Sequence, residues 1–107
     1  MNAGTAVGRI AAKPRVFENA DGSRKVFFTL YVRRAFVSRT TNQRESDRLS
    51  FESFIPAWVE GNAVFDFLSV GMLVSVEFSV RSGQYADKMT GEVIYTTALV
   101  SSRVEIL

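Results

Sequence analysis

The residues of this chain best suited to chemistry lie between Arg24 and Phe36, in the run Arg-Lys-Val-Phe-Phe-Thr-Leu-Tyr-Val-Arg-Arg-Ala-Phe. Side chains on a strand alternate between two faces. Val26, Phe28, Leu30 and Val32 therefore share one face, and Lys25, Phe27, Thr29, Tyr31 and Arg33 share the other. The first set makes an ordinary core face. The second interleaves cations with flat rings, the combination that neutralises phosphates and stacks unpaired bases at once. The chemistry it suggests is noncovalent: the binding of a single-stranded nucleic acid.

Covalent chemistry has little to work with. The chain contains no histidine and no cysteine, which removes disulfides, the commonest zinc sites, the Cys/His and Ser/His nucleophile pairs and the usual general base near neutral pH. The eleven carboxylates form no compact paired motif. No catalytic residue, no metal site and no cofactor are expected. Charge is uneven along the chain: Arg9 to Arg48 holds ten basic and four acidic residues, and the remainder three and seven. Ten of the thirteen cations are arginine, whose planar head forks onto phosphate oxygens or lies against a base in ways lysine does poorly. No apolar run approaches the ~20 residues of a membrane span, and no basic lead with an apolar stretch opens the chain. A soluble, cytoplasmic protein is expected.

The elements that must position these residues are mostly strands. At 107 residues one domain over 1–107 is expected. Residues 3 to 11 read as a small-residue strand, with Pro14 and a short extension over Arg15 to Phe17 before the Asn19-Ala20-Asp21-Gly22 turn. The strand from Arg24 to Phe36 follows. Residues 37 to 48 carry one hydrophobic side chain in twelve and read as a mobile basic loop. Leu49 to Glu60 resumes the alternation, with Pro56 marking an edge or bulge. Gly61 to Val70 has the spacing of a two-turn helix capped by Gly71, placed to plug a barrel end. Leu73 to Arg81 is a strand, 82 to 91 a hairpin loop, and Glu92 to Ile106 the last strand. Gly8, Gly61 and Gly71 read as bulge and cap positions.

An all-β chain of five strands with one short helix between the third and fourth is the order of an OB-fold, a Greek-key barrel that binds oligonucleotides or oligosaccharides. At this point the sequence resembles the bacterial-type single-stranded DNA-binding protein family over essentially its whole length. The likeness rests on Val7-Gly8-Arg9-Ile10 with Pro14, Asp21-Gly22 before Arg33-Arg34-Ala35-Phe36, Phe54-Ile55-Pro56 leading to Gly61, Gly71-Met72-Leu73-Val74 leading to Glu77 and Arg81, Tyr85, Tyr95-Thr96-Thr97, and Val104-Glu105.

The resemblance implies base stacking by Phe36, Phe54 and Tyr85. Another family aromatic falls on Glu60, with Trp58 nearby, on the register of Phe54, as a substitute. Asn62, Val70 and Gln84 stand where the family often has lysine, which shifts the expected phosphate path toward Arg33, Arg34, Arg39, Arg44 and Arg48. Arg9, Lys25, Thr29, Tyr31, Arg81 and Lys88 complete the candidate nucleic-acid-binding set. Several of these residues have a second reading. Trp58 fits a subunit interface or a seat beneath the basic loop. Phe36 falls on the inward register by parity and reaches a base only if the strand twists or bulges near Arg34. Phe27 is a weaker stacking candidate than Tyr31, and Tyr95 reads as structural.

Binding of single-stranded DNA with little sequence preference follows, in replication, recombination or repair, together with assembly into a homo-oligomer, most often a tetramer in the family, with a dimer as the alternative. The chain stops at Val104-Glu105-Ile106-Leu107 without the family's flexible, acidic-tipped tail. A short form is therefore expected, from a bacterium or a mobile element, without tail-mediated recruitment of partner proteins. A tail-less, dimeric primosomal replication-restart adaptor is the runner-up, and a nuclease the weakest reading. The Arg-rich segment argues against a neutral sugar ligand.

Overall fold

Two apolar alternations of equal length, Val26 to Val32 and Val74 to Val80, set the barrel wall. The computed structural model describes residues 2–107. In it β1 (Gly4–Ile10), β2 (Arg15–Glu18), β3 (Arg24–Val37), β4 (Arg44–Ile55), β5 (Leu73–Ala86) and β6 (Val93–Ile106) follow one another, with a single 3-10 turn at Ala63–Phe67. The hydrogen-bonded order is β1-β5-β6-β4-β3-β2, and a further β1–β3 pairing closes the ring. β3 shares one of its edges between two partners. Its first residues pair with β2 through Arg15↔Phe27 and Phe17↔Lys25, and Leu30 and Tyr31 pair with β1. β4 and β6 run parallel and pair only at Phe51↔Leu99 and Glu52↔Val100. The result is the expected OB-fold barrel of five strands, with β2 laid along β3.

The inward registers meet in one core of Val26, Phe28, Leu30, Phe51, Ile55, Val74 and Val76 with Ala6, Ile10, Phe65 and Leu68. Aromatic contacts tie it together: Phe28 stacks on Phe51 at 5.3 Å between centroids, Phe65 meets Phe28 at 5.2 Å, and Phe78 meets Phe51 edge-on at 5.4 Å. The segment after Gly61 does plug this core through Phe65 and Leu68. It does so with five residues of 3-10 turn rather than two turns of α-helix. Two apolar anchors three residues apart fit either repeat, but Ala63 enters the turn at φ 51°, outside the right-handed helical region. Leu68 ends it. Gly71 lies beyond, bonding to the Ile10 carbonyl at 2.8 Å and steering the chain into β5.

Three other expectations change. Residues 37 to 48 are not a loop: β3 and β4 continue as a hairpin arm past the barrel, paired at Arg33↔Ser46 and Val37↔Arg44, with a tip at 38–43. Backbone pairing needs no apolar side chains. Residues 82 to 86 likewise belong to β5, which forms a second arm with β6 down to the turn at 87–92. The two arms account for a radius of gyration of 16.3 Å, against the ~13 Å of a compact chain of about 100 residues. Third, β4 stops at Ile55, so Pro56 ends the strand rather than interrupting it.

Gly8 is not a bulge. It pairs with Val74 in a regular ladder, and a Cβ built on it would collide with the Tyr31 carbonyl oxygen. The glycine lets β1 close on β3. Gly8→Ala is therefore expected to cost about 1–3 kcal/mol through overpacking against backbone, whereas Gly71→Ala, with open space around it but φ +89°, should cost about 1–2 kcal/mol through the left-handed backbone alone. Chemical denaturation of the two variants checks this, and equal stability of Gly8→Ala and the parent chain would mean that β1 is not clamped to β3.

Candidate nucleic-acid interface

Strand register decides which side chains can act together. β3 and β4 pair with Lys25 opposite Phe54, Phe27 opposite Glu52, Thr29 opposite Ser50, Tyr31 opposite Arg48 and Arg33 opposite Ser46. Directly opposed residues project to the same face, so these rungs line the outside of the barrel wall. Val26, Phe28 and Leu30 fill the inside. Tyr31 stands between two arginines. Arg9 is opposite it on β1, and the guanidinium of Arg48 on β4 lies 5.8 Å from its ring centroid. Further along, the Thr29 and Ser50 hydroxyls bond at 3.2 Å. The Lys25 ammonium lies 5.4 Å from the centroid of Phe27 and 3.0 Å from the Glu52 carboxylate. Lys25, Thr29, Tyr31, Arg33, Arg48 and Phe54 thus share one surface, with Arg9 at its edge.

The arginines of the arm are not equivalent. Arg34 turns away from that face onto two carboxylates of the neighbouring strand. Its Nε donates to both oxygens of Asp47 at 3.1 Å, its Nη2 to Asp47 at 2.8 Å and its Nη1 to Glu45 at 2.8 Å. This fork holds the Asp47 carboxyl below the usual carboxylate range through the hydrogen bonds from Arg34. Those bonds and the two negative charges raise the Arg34 guanidinium further. Arg34 is a brace for the arm, already neutralised. Among the described residues, Arg33, Arg39, Arg44 and Arg48 form no ion pair, Arg39 sitting in the tip and Arg44 at the start of β4.

The remaining aromatic candidates occupy four places. Phe54 is on β4 at the barrel wall. Phe36 is on the arm and 86 % exposed. A register shift between Arg33 and Val37 ends the simple parity that would turn it inward, and by then the strand has left the core. Trp58 is 83 % exposed in the turn after β4, so it does not share a strand register with Phe54. Its turn is anchored by Arg24, whose Nη2 donates to the carbonyls of Pro56 at 3.3 Å and Val59 at 2.5 Å. Tyr85 lies on β5 opposite Ile94, not in a loop. With Arg81, and with Lys88 in the turn beyond, it belongs to the second arm. Pairing does not bring those three onto the β3–β4 face.

Three residues that sequence reading missed, Lys13, Arg15 and Phe17, adjoin that face. With Phe27, the weaker stacking candidate, they border an open groove of ≈ 490 Å³ beside β2 and β3, which Thr29, Arg48 and Ser50 also line. The signal was present in the sequence. A hairpin folded about Asp21 must set Phe17 opposite Lys25 and Arg15 opposite Phe27, on the same outward face.

A closed barrel with rings and cations on its outer wall defines an OB-fold built for binding. The chain belongs to the single-strand binding protein family, whose model matches residues 1–107. Among solved structures it is similar to that of a Plasmodium falciparum SSB in complex with ssDNA, with a TM-score of 0.75 and 17 % identity over 100 % of this chain and 95 % of that one. At that identity the likeness concerns the fold. No curated protein matches it. Among the described residues no helix is long and apolar enough to cross a membrane.

The Arg34 fork gives a pH-dependent signature. A carboxyl whose folded pKa is depressed contributes stability above the ordinary carboxylate range and loses it as pH falls through the lowered value. Carboxyl NMR titration should therefore give Asp47 a midpoint below 3.8. Arg34→Ala should move that midpoint up toward the ordinary value, and added salt should shrink the difference because the pair is exposed. An unchanged midpoint in Arg34→Ala would mean that the fork does not persist in solution.

Proposed function

We propose that residues 1–107 form one nucleic-acid-binding domain that takes up single-stranded DNA with little sequence preference and protects it during replication, recombination or repair. The observation that carries this is the run of outward rungs on β3 and β4, where Tyr31 lies beside Arg48 and Phe54 faces Lys25, in a member of the single-strand binding protein family. Arginines on this wall displace counterions from the phosphate backbone. Ring faces accept unstacked bases at about 1–3 kcal/mol each, and every base has such a face. Duplex DNA, whose bases are already stacked, gains nothing from the rings. The activity is binding without turnover, in the cytoplasm, by a homo-oligomer that we take to be a tetramer. The primosomal adaptor is not favoured, since nothing beyond the likeness to the same family supports it.

Titration with oligo-dT at low and high salt, with a duplex of equal length as control, tests the function. The single strand should bind, and bind less tightly as salt rises; the duplex should bind poorly. Tyr31→Ala should weaken single-strand binding by about 1–3 kcal/mol while leaving stability nearly unchanged, because the ring is exposed. Arg48→Ala should lower the slope of log affinity on log salt by about 0.7. Fluorescence of Trp58 reports in parallel whether the turn after β4 touches the bases. Absence of single-strand binding at low salt would overturn the proposal.

A further inference from the structure

The outward rungs of β3 differ in the charge on either side of them. At Tyr31 both cross-strand neighbours are arginine, Arg9 on β1 and Arg48 on β4. At Phe27 the neighbour on β2 is Arg15 and the neighbour on β4 is Glu52. The Glu52 carboxylate is already paired with Lys25 at 3.0 Å, so the β4 side of the Phe27 rung offers a phosphate no unpaired cation, whereas Arg15 on the β2 side forms no ion pair among the described residues. The groove there is bordered by Lys13, Arg15 and Arg48, and no acidic residue lines it. Its aromatic wall is a pair. Phe17 stands edge-to-face with Phe27 at 5.6 Å and 78°, and both rings are exposed, by 53 % and 38 %. Two exposed phenyl rings beside three cations, one of them on a four-residue strand with no buried side chain and the other on the outward face of β3, contribute little to the core and much to a binding surface.

We propose that the groove beside β2 and β3 is a nucleotide subsite, in which one base packs against the Phe17–Phe27 pair and its phosphate is held by Arg15 and Lys13. The strand then leaves the β3–β4 face over β2 and not over β4. The subsite rests on the single-strand reading above and gives it a direction. Phe27 and Tyr31 are four residues apart, roughly 13 Å along a strand at ~3.3 Å per residue. That spacing seats two separate bases, with the Thr29 and Ser50 hydroxyls between them.

The experiment compares the full chain with Arg15→Gln, Phe17→Leu and Glu52→Gln for binding to oligo-dT across a salt series, and maps contacts by photocrosslinking to an oligonucleotide containing 4-thiothymidine. Phe17→Leu keeps an apolar contact for Phe27 but removes the flat ring. Arg15→Gln alters only an exposed charge, so that loss of fold in one variant leaves the other informative. Expected are a loss of at least about fivefold in Phe17→Leu, the lower end for one stacked base; a salt slope reduced by about 0.7 in Arg15→Gln; equal or tighter binding in Glu52→Gln; and crosslinks within 13–17 or 27–29. Parent-like binding by both Arg15→Gln and Phe17→Leu, or crosslinks confined to β4, overturns the subsite while the single-strand function stands. Failure of the parent chain to bind oligo-dT overturns both.

Discussion

β3 is hydrogen-bonded along both edges, and the closure of its second edge is the constraint on which the rest depends. β1 can reach that edge only because position 8 has no side chain: any Cβ there would strike the Tyr31 carbonyl. Once β1 is in place, Ile10 sits opposite Leu30 in the core and Arg9 opposite Tyr31 outside it. The contact that completes the hydrophobic interior therefore also delivers a cation to an exposed ring of the barrel wall. β2 takes the rest of the edge. It buries nothing, so its place is held by backbone pairing to β3 and by the Phe17–Phe27 contact.

Electrostatics on this surface is a matter of which cations are already satisfied. Arg34 is bound to Asp47 and Glu45, and Lys25 to Glu52, although both stand in the most basic part of the sequence. Exposed pairs of this kind add little to stability. Their effect is on the charge a ligand meets. Arg34 joins the two strands of the arm and gives up its charge locally, and this leaves Arg33, Arg39, Arg44 and Arg48 to set the field there. A count of arginines overstates the available charge, and the strand register identifies the cations that remain.

What was legible in the sequence was whatever period two governs within the barrel. The inward set Val26, Phe28, Leu30 and the outward set Lys25, Phe27, Thr29, Tyr31 follow from alternation alone, and the structure has both. Alternation fails beyond the barrel, where no buried face selects a register. Thus Phe36, inward by parity, is in solvent after a register shift. The arm at 37 to 48 was hidden because its strands are held by backbone bonds and one arginine fork rather than by apolar side chains. The 3-10 turn was hidden for a different reason: Phe65 and Leu68 satisfy α and 3-10 spacing equally, and the positive φ of Ala63 leaves no mark on composition. Trp58 fell into a false register because Pro56 ends β4, a position from which proline can equally mark an edge.

A barrel wall that carried its cations evenly would hold a charged polymer without fixing its course. Here the wall is polarised along β3. Arginines flank the Tyr31 rung on both sides, and the Phe27 rung has an arginine on β2 but a carboxylate on β4. The rings are the same kind of surface at both rungs, and any base can lie on either. The phosphates are not free in the same way, because their cost depends on which side of the ring they pass. Stacking therefore supplies affinity without sequence, while the position of the unpaired cation beside each ring, with Glu52 taken up by Lys25, supplies a track. A protein that must accept any base still has to lead the backbone in one direction, and β3 with its three neighbours has the asymmetry to do so.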